Sequence, residues 1–214
     1  MVIRKKHLER VLELTPNFPN PKIELEQYVT PSSIAADILW YAFMLGDIKD
    51  KVVVDLGCGT GRFSLGALTL GAKYVICVDI DYEVLNTLNS KVNELLLNEI
   101  IVKPIDILAS DVREALALRS LTECTVIMNP PFGVQSKGAD TDFLEAAMDI
   151  CSTIYSIHKY SEGLMQVINN LCRVKGFKYH VISHIDFPIR WFLPKHRKSI
   201  YYVKAVVIRL KRSR

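Results

Sequence analysis

The chain has 214 residues, half of them hydrophobic and 23% charged, with a formal net charge of +4. That length and apolar content suit one globular domain with a sizeable core, spanning 1–214, and exclude a disordered or low-complexity chain. No apolar run approaches membrane-spanning length and the amino terminus shows no signal-peptide pattern, so no membrane role is expected.

The charge is unevenly placed. Arg4, Lys5 and Lys6 open the chain, and Lys195, His196, Arg197, Lys198, Lys204, Arg209, Lys211, Arg212 and Arg214 close it. Such ends suit a phosphate backbone, although charge runs also form plain solvated surface. Cys58, Cys77, Cys124, Cys151 and Cys172 are widely spaced, with no C-x-x-C pair. Most sit in apolar runs and read as small core residues, which points to a reducing compartment, the cytoplasm, and away from zinc.

Residues 3–14 carry Ile3, Leu8, Val11, Leu12 and Leu14 at helical spacing, which predicts a short amphipathic helix. A turn-rich piece from Thr15 to Pro21 follows. Thr30 reads as an N-cap with Pro31 at the first helical position, and that helix runs to about Leu45. Residues 1–46 thus form a helical extension ahead of the main body at 47–214. The exposed amides at this helix start, beside Gln27 and Thr30, could hold a carboxylate or phosphate; capping is the commoner use of such a pair.

Lys51 to Asp55 is a buried strand of the parallel kind, running into Leu56-Gly57-Cys58-Gly59-Thr60-Gly61 and an apolar helix through Leu70. Ala72 to Asp79 is the second strand. This is a βαβ unit with a glycine-rich first turn, which lets backbone approach a ligand closely. An acidic residue ending the second strand can bind a ribose diol; Asp79 stands about 20 residues past Gly57, and Asp81 competes for the role. A dinucleotide fingerprint wants a third glycine where Arg62 stands. Instead Asp55 precedes the loop, where its carboxylate would repel pyrophosphate but accept bonds from an ammonium group. The amino-acid end of S-adenosylmethionine carries one.

A helix over 82–96 and a third strand over 100–106 come next. Asp111, after that strand, can take an exocyclic adenine amine or cap a helix over 112–118. Strand four, 123–128, delivers Asn129-Pro130-Pro131-Phe132-Gly133 to the carboxyl end of the sheet, where open α/β folds keep their ligands. Asn129 can accept from an –NH₂ group, the prolines donate no backbone N–H, Phe132 offers a face for stacking on a base, and Gly133 turns the chain away. Asn, Pro and Gly also make ordinary turns. A loop with Lys137, Gly138 and Asp140 leads to a helix starting near Asp142. Strand five (151–159), a helix (160–174) and strands near 177–185 and 200–210 complete the chain. Between the last two, residues 189–198 interleave basic and aromatic side chains, as nucleic-acid contact loops do. His180 and His184 on one strand, without further ligands near in sequence, read as structural.

These residues carry a resemblance. Glu26-Gln27-Tyr28 with Thr30, Asp55-Leu56-Gly57-Cys58-Gly59 with Gly61, Val78 to Asp81, Asp111-Val112, Met128 to Gly133, Lys137-Gly138 with Asp140, Tyr155 to Lys159 and Lys195 to Ser199 resemble the N6-adenine group of class I S-adenosylmethionine-dependent methyltransferases. The chain is most similar to ribosomal-RNA methyltransferases of the methyltransferase-like protein 5 family. The resemblance implies a Rossmann-like, seven-stranded, mostly parallel sheet flanked by helices. It implies that Gln27, Tyr28 and Thr30 close over the cofactor, that Asp55, Gly57, Cys58 and Gly59 hold its amino-acid end, Asp79 or Asp81 its ribose and Asp111 its adenine, with Asn129 beside it. Asn129, Pro130, Pro131 and Phe132 would carry catalysis; Gly133, Lys137, Lys195, His196, Arg197 and Lys198 would meet RNA. A small zinc-binding activator subunit serves eukaryotic members. Rival readings are a glutamine N5-methyltransferase acting on a translation factor and a non-catalytic RNA-binding module.

Overall fold

The computed structural model describes residues 4–101, 103, 105–114, 121, 123–190 and 200–213. Its strands are β1 (Val52–Leu56), β2 (Tyr74–Asp79), β3 (Asp106–Ala109), β4 (Cys124–Met128), β5 (Thr153–Lys159), β6 (Phe177–Arg190) and β7 (Ile200–Arg212). They form one sheet in the order β3-β2-β1-β4-β5-β7-β6, parallel from β3 through β5, with β7 antiparallel to both neighbours. The seven-stranded, mostly parallel sheet expected from the sequence is thus present.

Consecutive apolar residues in β1 leave no polar face: Val53 enters one core cluster and Val54 the other, so helices must cover both sides. One side takes α1 (Lys5–Leu12), α2 (Ser32–Met44), α3 (Arg62–Thr69) and α4 (Tyr82–Leu97); the other takes α5 (Ala139–Ile150) and α6 (Glu162–Lys175). Leu8 and Leu12 are fully buried, so α1 belongs to the core. It approaches α3 closely because Gly66 has no side chain; a Cβ there would lie 2.9 Å from Leu12.

The connections reverse direction between β1 and β4. Leu56 and Met128 are register partners, which sets the residues after them, Gly57 and Asn129, beside each other at the switch point.

Four expectations need correction. The third strand is Asp106–Ala109, not 100–106, because residues 99–101 close the end of α4: Glu99 is left-handed and the amides of Ile100 and Ile101 both bond to Leu95 O. Thr30 does not cap α2. Pro31 holds the N-cap position without a side-chain bond, and the Thr30 hydroxyl turns to Asn129 instead. Helix α5 starts at Ala139, released by left-handed Gly138, rather than near Asp142. Finally, four buried cysteines are paired. The parallel ladder brings Cys77 on β2 under Cys58 (Cα–Cα 5.5 Å), and Cys124 on β4 meets Cys151 just before β5 (5.0 Å). Spacing along the chain concealed both pairs, since neighbouring parallel strands align residues that a whole crossover separates. Disulfides are uncommon in reducing compartments outside hyperthermophiles. Among the described residues no helix is long and apolar enough to cross a membrane.

Candidate active site

A cavity of about 350 Å³ opens at the switch point. Gly57 and Gly59 from the loop after β1, Asp79 and Ile80 at the end of β2, Ser110 to Arg113 after β3, and Asn129 and Pro131 after β4 form its floor. The segment Glu24–Tyr28, with Phe18, forms its roof. Gly57 and Gly59 have positive φ and lie flush beneath rings: an added Cβ would stand 2.7 Å from Phe143 and 2.8 Å from Phe18 respectively.

The carboxylates divide. Asp79 lines the cavity, with Oδ2 accepting from Gly59 N (2.8 Å) and Oδ1 from Asp81 N (2.9 Å). Asp81 is buried off the wall. Its Oδ1 accepts from Lys22 Nζ (2.7 Å) and Glu83 N (3.2 Å), and its Oδ2 from Gln27 Nε2 (2.7 Å). Asp79 is therefore the one of the two that can meet a diol. Asp111 reaches the wall with both oxygens held by the Arg113 guanidinium, which keeps its carboxyl below the usual range. Thr30 and Cys58 line a smaller hollow that Asn129 and Gly57 share.

Asp55 is not on the cavity wall. Its Oδ2 accepts from Ser64 N and Oγ (2.8 and 2.7 Å), and its buried Oδ1 has no partner among the described residues. Burial pushes this carboxyl up to about 7, against the two bonds from Ser64. The folded chain then keeps a proton that the unfolded chain releases near pH 4. Stability from this group is complete below that value and lost as pH rises through about 7. Thermal melts from pH 4 to 8 should show this decline, and Asp55→Asn should flatten it; an equal decline in the variant would remove Asp55 as its source.

On the acceptor side, Asn129 Nδ2 donates to Thr30 Oγ1 (3.1 Å), while Asn129 Oδ1 is buried with no partner among the described residues. Pro130 is buried beside it. Phe132 departs from expectation. Its ring is buried at 6% exposure against Tyr28 and Phe187, with centroids 5.6 and 5.5 Å away, because the long strand β6 carries Phe187 over it. No face is open for stacking in this arrangement. The Tyr28 hydroxyl is also buried and without a partner among the described residues, and burial raises its pKa. Gly133 turns with positive φ, and Lys137 is exposed away from the wall. Lys195, His196, Arg197 and Lys198 lie outside the described residues.

Phe18, Phe143, Ser110 and Arg113 escaped the sequence reading. Phe18 left one signal, an aromatic residue inside a turn-rich piece; the others left none.

The donor set suits a nucleoside that carries an amino-acid arm: glycine backbone for close approach, a carboxylate at the second strand, a polar third edge, and an amide oxygen unpaired among the described residues. This fold and site define a class I methyltransferase. Residues 34–153, more than half of the chain, match the family described as methyltransferase small domain. The rRNA N(6)-adenosine-methyltransferase METTL5 of Danio rerio is 38% identical, covering 97% of this chain and 98% of that protein. Protein MJ0284 of Methanocaldococcus jannaschii is 35% identical over 99% of this chain and 95% of its own length. The crystal structure of PH1948 from Pyrococcus horikoshii superposes with a TM-score of 0.79 at 37% identity, covering 99% of this chain and 98% of that one. The chain belongs to the methyltransferase small domain family and, within it, to the methyltransferase-like protein 5 group.

Proposed function

We propose that this chain methylates N6 of an adenine in RNA, and specifically in small-subunit ribosomal RNA. The observation that carries the reading is Asn129 Oδ1, a buried acceptor with no partner among the described residues, fixed through Nδ2 by Thr30. Leaving such an atom unpaired costs about 1–3 kcal/mol, which an incoming amine hydrogen relieves. The name borne by the Danio rerio relative, an rRNA N(6)-adenosine-methyltransferase, supports adenine in ribosomal RNA as the substrate.

S-adenosylmethionine is the methyl donor and supplies an electrophilic sulfonium methyl. Gly57 and Gly59 would admit its amino-acid end, Asp79 would meet its ribose and Asp111 its adenine, within the cavity that Gln27 and Tyr28 also line. Asn129 Oδ1 draws on one N6 hydrogen, which localises the amine lone pair and offsets the positive charge that grows on nitrogen. Pro130 and Pro131 offer no N–H to compete for that lone pair. No general base is needed before transfer, because the methylated ammonium sheds its proton readily to water. Stacking on the base requires Phe132 to exchange its partners Tyr28 and Phe187. An unpaired adenine is the easier target, since it need not be flipped from a duplex.

Residues 1–46 are proposed as an extension and cofactor lid on a single domain. A small zinc-binding activator subunit is a further proposed partner, supported by the outer edge of β3, which pairs only with β2 among the described residues. The proposed location is the cytoplasm, where ribosomal RNA is at hand.

Purified chain with methyl-labelled S-adenosylmethionine should label N6 of one adenine in unmodified small-subunit ribosomal RNA, read by mass spectrometry. Label only on a glutamine of an added release factor would overturn the RNA reading, because the same Asn129 oxygen could take an amide –NH₂.

A further inference from the structure

The acceptor turn is unusual in what it cannot do for itself. Pro130 and Pro131 have no amide hydrogens, so after Asn129 the first N–H able to tie the turn down belongs to Phe132. That amide donates to Glu26 Oε2 at 2.7 Å, and Gln135 N donates to Glu26 Oε1 at 2.7 Å. One carboxylate, more than a hundred residues away in sequence, thus spans the turn around left-handed Gly133. Both are charge-assisted bonds, the stronger kind.

Glu26 itself sits at φ 50°, a left-handed backbone that non-glycine residues seldom adopt. This bend splits its segment between the two halves of the site. Gln27, the next residue, reaches the opposite way to Asp81 on the cofactor side, as does Lys22 (2.7 Å each). Thr30, further on, holds Asn129. Residues 22–30 therefore touch the second strand's acidic end and the acceptor turn at once.

We propose that Glu26 is a positioning residue for methyl transfer: its carboxylate holds the proline-rich turn in the geometry that presents Asn129 Oδ1, and it ties that geometry to the closed cofactor side. Resting on the reading above, this assigns Glu26 no contact with the reacting atoms. It acts through Phe132 and Gln135. A nearby carboxylate would also repel an RNA phosphate, which argues against Glu26 as a residue that holds RNA.

The test has a readout that needs no activity. Hydrogen exchange of residues 132–136 is followed in the free protein and with S-adenosylhomocysteine, for wild type, Glu26→Ala and Glu26→Gln. Glu26→Ala should speed exchange at Phe132 and Gln135 by about tenfold or more, with Glu26→Gln intermediate because it keeps one acceptor. In wild type, S-adenosylhomocysteine should slow exchange at these two amides; in Glu26→Ala it should not, and its Kd should rise by far less than kcat falls. With labelled donor, kcat should fall by about 10²-fold in Glu26→Ala, the scale of a small misplacement, and recover in part in Glu26→Gln. Unchanged exchange at the two amides, or a loss of S-adenosylhomocysteine affinity matching the loss of kcat, would overturn the proposal. If wild type labels only the protein acceptor, the RNA reading fails while the same exchange and kcat comparisons, made on that acceptor, still decide the role of Glu26.

Discussion

Asn129→Ala is expected to reduce single-turnover methyl transfer by about 10²–10³-fold, the scale seen when one preorganised polar group is removed from a charge-developing centre. S-adenosylmethionine affinity, measured by calorimetry, should change by less than about threefold, because Asn129 is one wall residue among several carboxylates and glycines. The separation follows from where charge appears. The cofactor enters carrying its positive charge, whereas the amine acquires charge only as the bond to methyl forms, so the loss of Oδ1 falls on the transition state. Thr30→Val offers a graded comparison: it removes the Nδ2 partner but leaves Oδ1 in place, so turnover should fall less than in Asn129→Ala. Equal losses in both variants would mean that the amide acts only through the Thr30 contact. Turnover within about tenfold of wild type in Asn129→Ala would sink the proposed role of Oδ1.

Much of this arrangement could be read in the chain because it depends on local rules. An apolar run too short for a helix, a glycine turn and an acidic strand end mark β1, its loop and β2 without any tertiary knowledge. The Asn-Pro-Pro-Phe turn is legible for the same reason, since proline and glycine restrict backbone wherever they stand. What escaped depends on neighbours brought together by the sheet. The Cys58–Cys77 pair exists because parallel register aligns the end of β1 with β2. Isoleucines at 100 and 101 look like strand residues and draw the expected third strand too early, although their amides serve the end of α4. Nothing local separates Asp79 from Asp81; the difference lies in Lys22 and Gln27, both more than fifty residues earlier, which occupy Asp81. The motif presents Phe132 as an open stacking face, whereas the length of β6 brings Phe187 over it. The carboxylate of Glu26 belongs to the same class: nothing local reveals that its partners are backbone amides of a distant turn.

The largest stability effect should come from a residue that carries no motif. Asp47, in the short connection between α2 and β1, accepts from Tyr155 Oη (2.6 Å) and from Arg209 Nε and Nη2 (3.0 and 2.8 Å), and its backbone oxygen accepts from Thr125 Oγ1 (2.6 Å). Tyr155 on β5 and Arg209 on β7 are direct register partners, so the carboxylate fastens the start of β1 to β5 and β7 while the backbone oxygen fastens it to β4. Burial, reinforced by Asp47, pushes the Tyr155 phenol far above its ordinary pKa and keeps it a neutral donor. Asp47→Ala leaves a mostly buried guanidinium with only the Tyr155 oxygen (2.9 Å) to bond and a fully buried phenol without its acceptor, a loss of about 3–5 kcal/mol. Against the roughly 5–15 kcal/mol by which domains are stable, that is a large fraction. At about 2–4 °C per kcal/mol for a chain of this size, calorimetry should find Tm lowered by about 6–20 °C. The double variant Asp47→Ala with Arg209→Met removes the stranded charge together with its partner and should regain part of the loss. Because neither Asp47, Tyr155 nor Arg209 lines the cavity, S-adenosylmethionine affinity below the transition should match wild type. A Tm within about 2 °C of wild type in Asp47→Ala would show that the network contributes no net stability. A double variant no more stable than the single one would show instead that the lost acceptor, and not the stranded guanidinium, sets the cost.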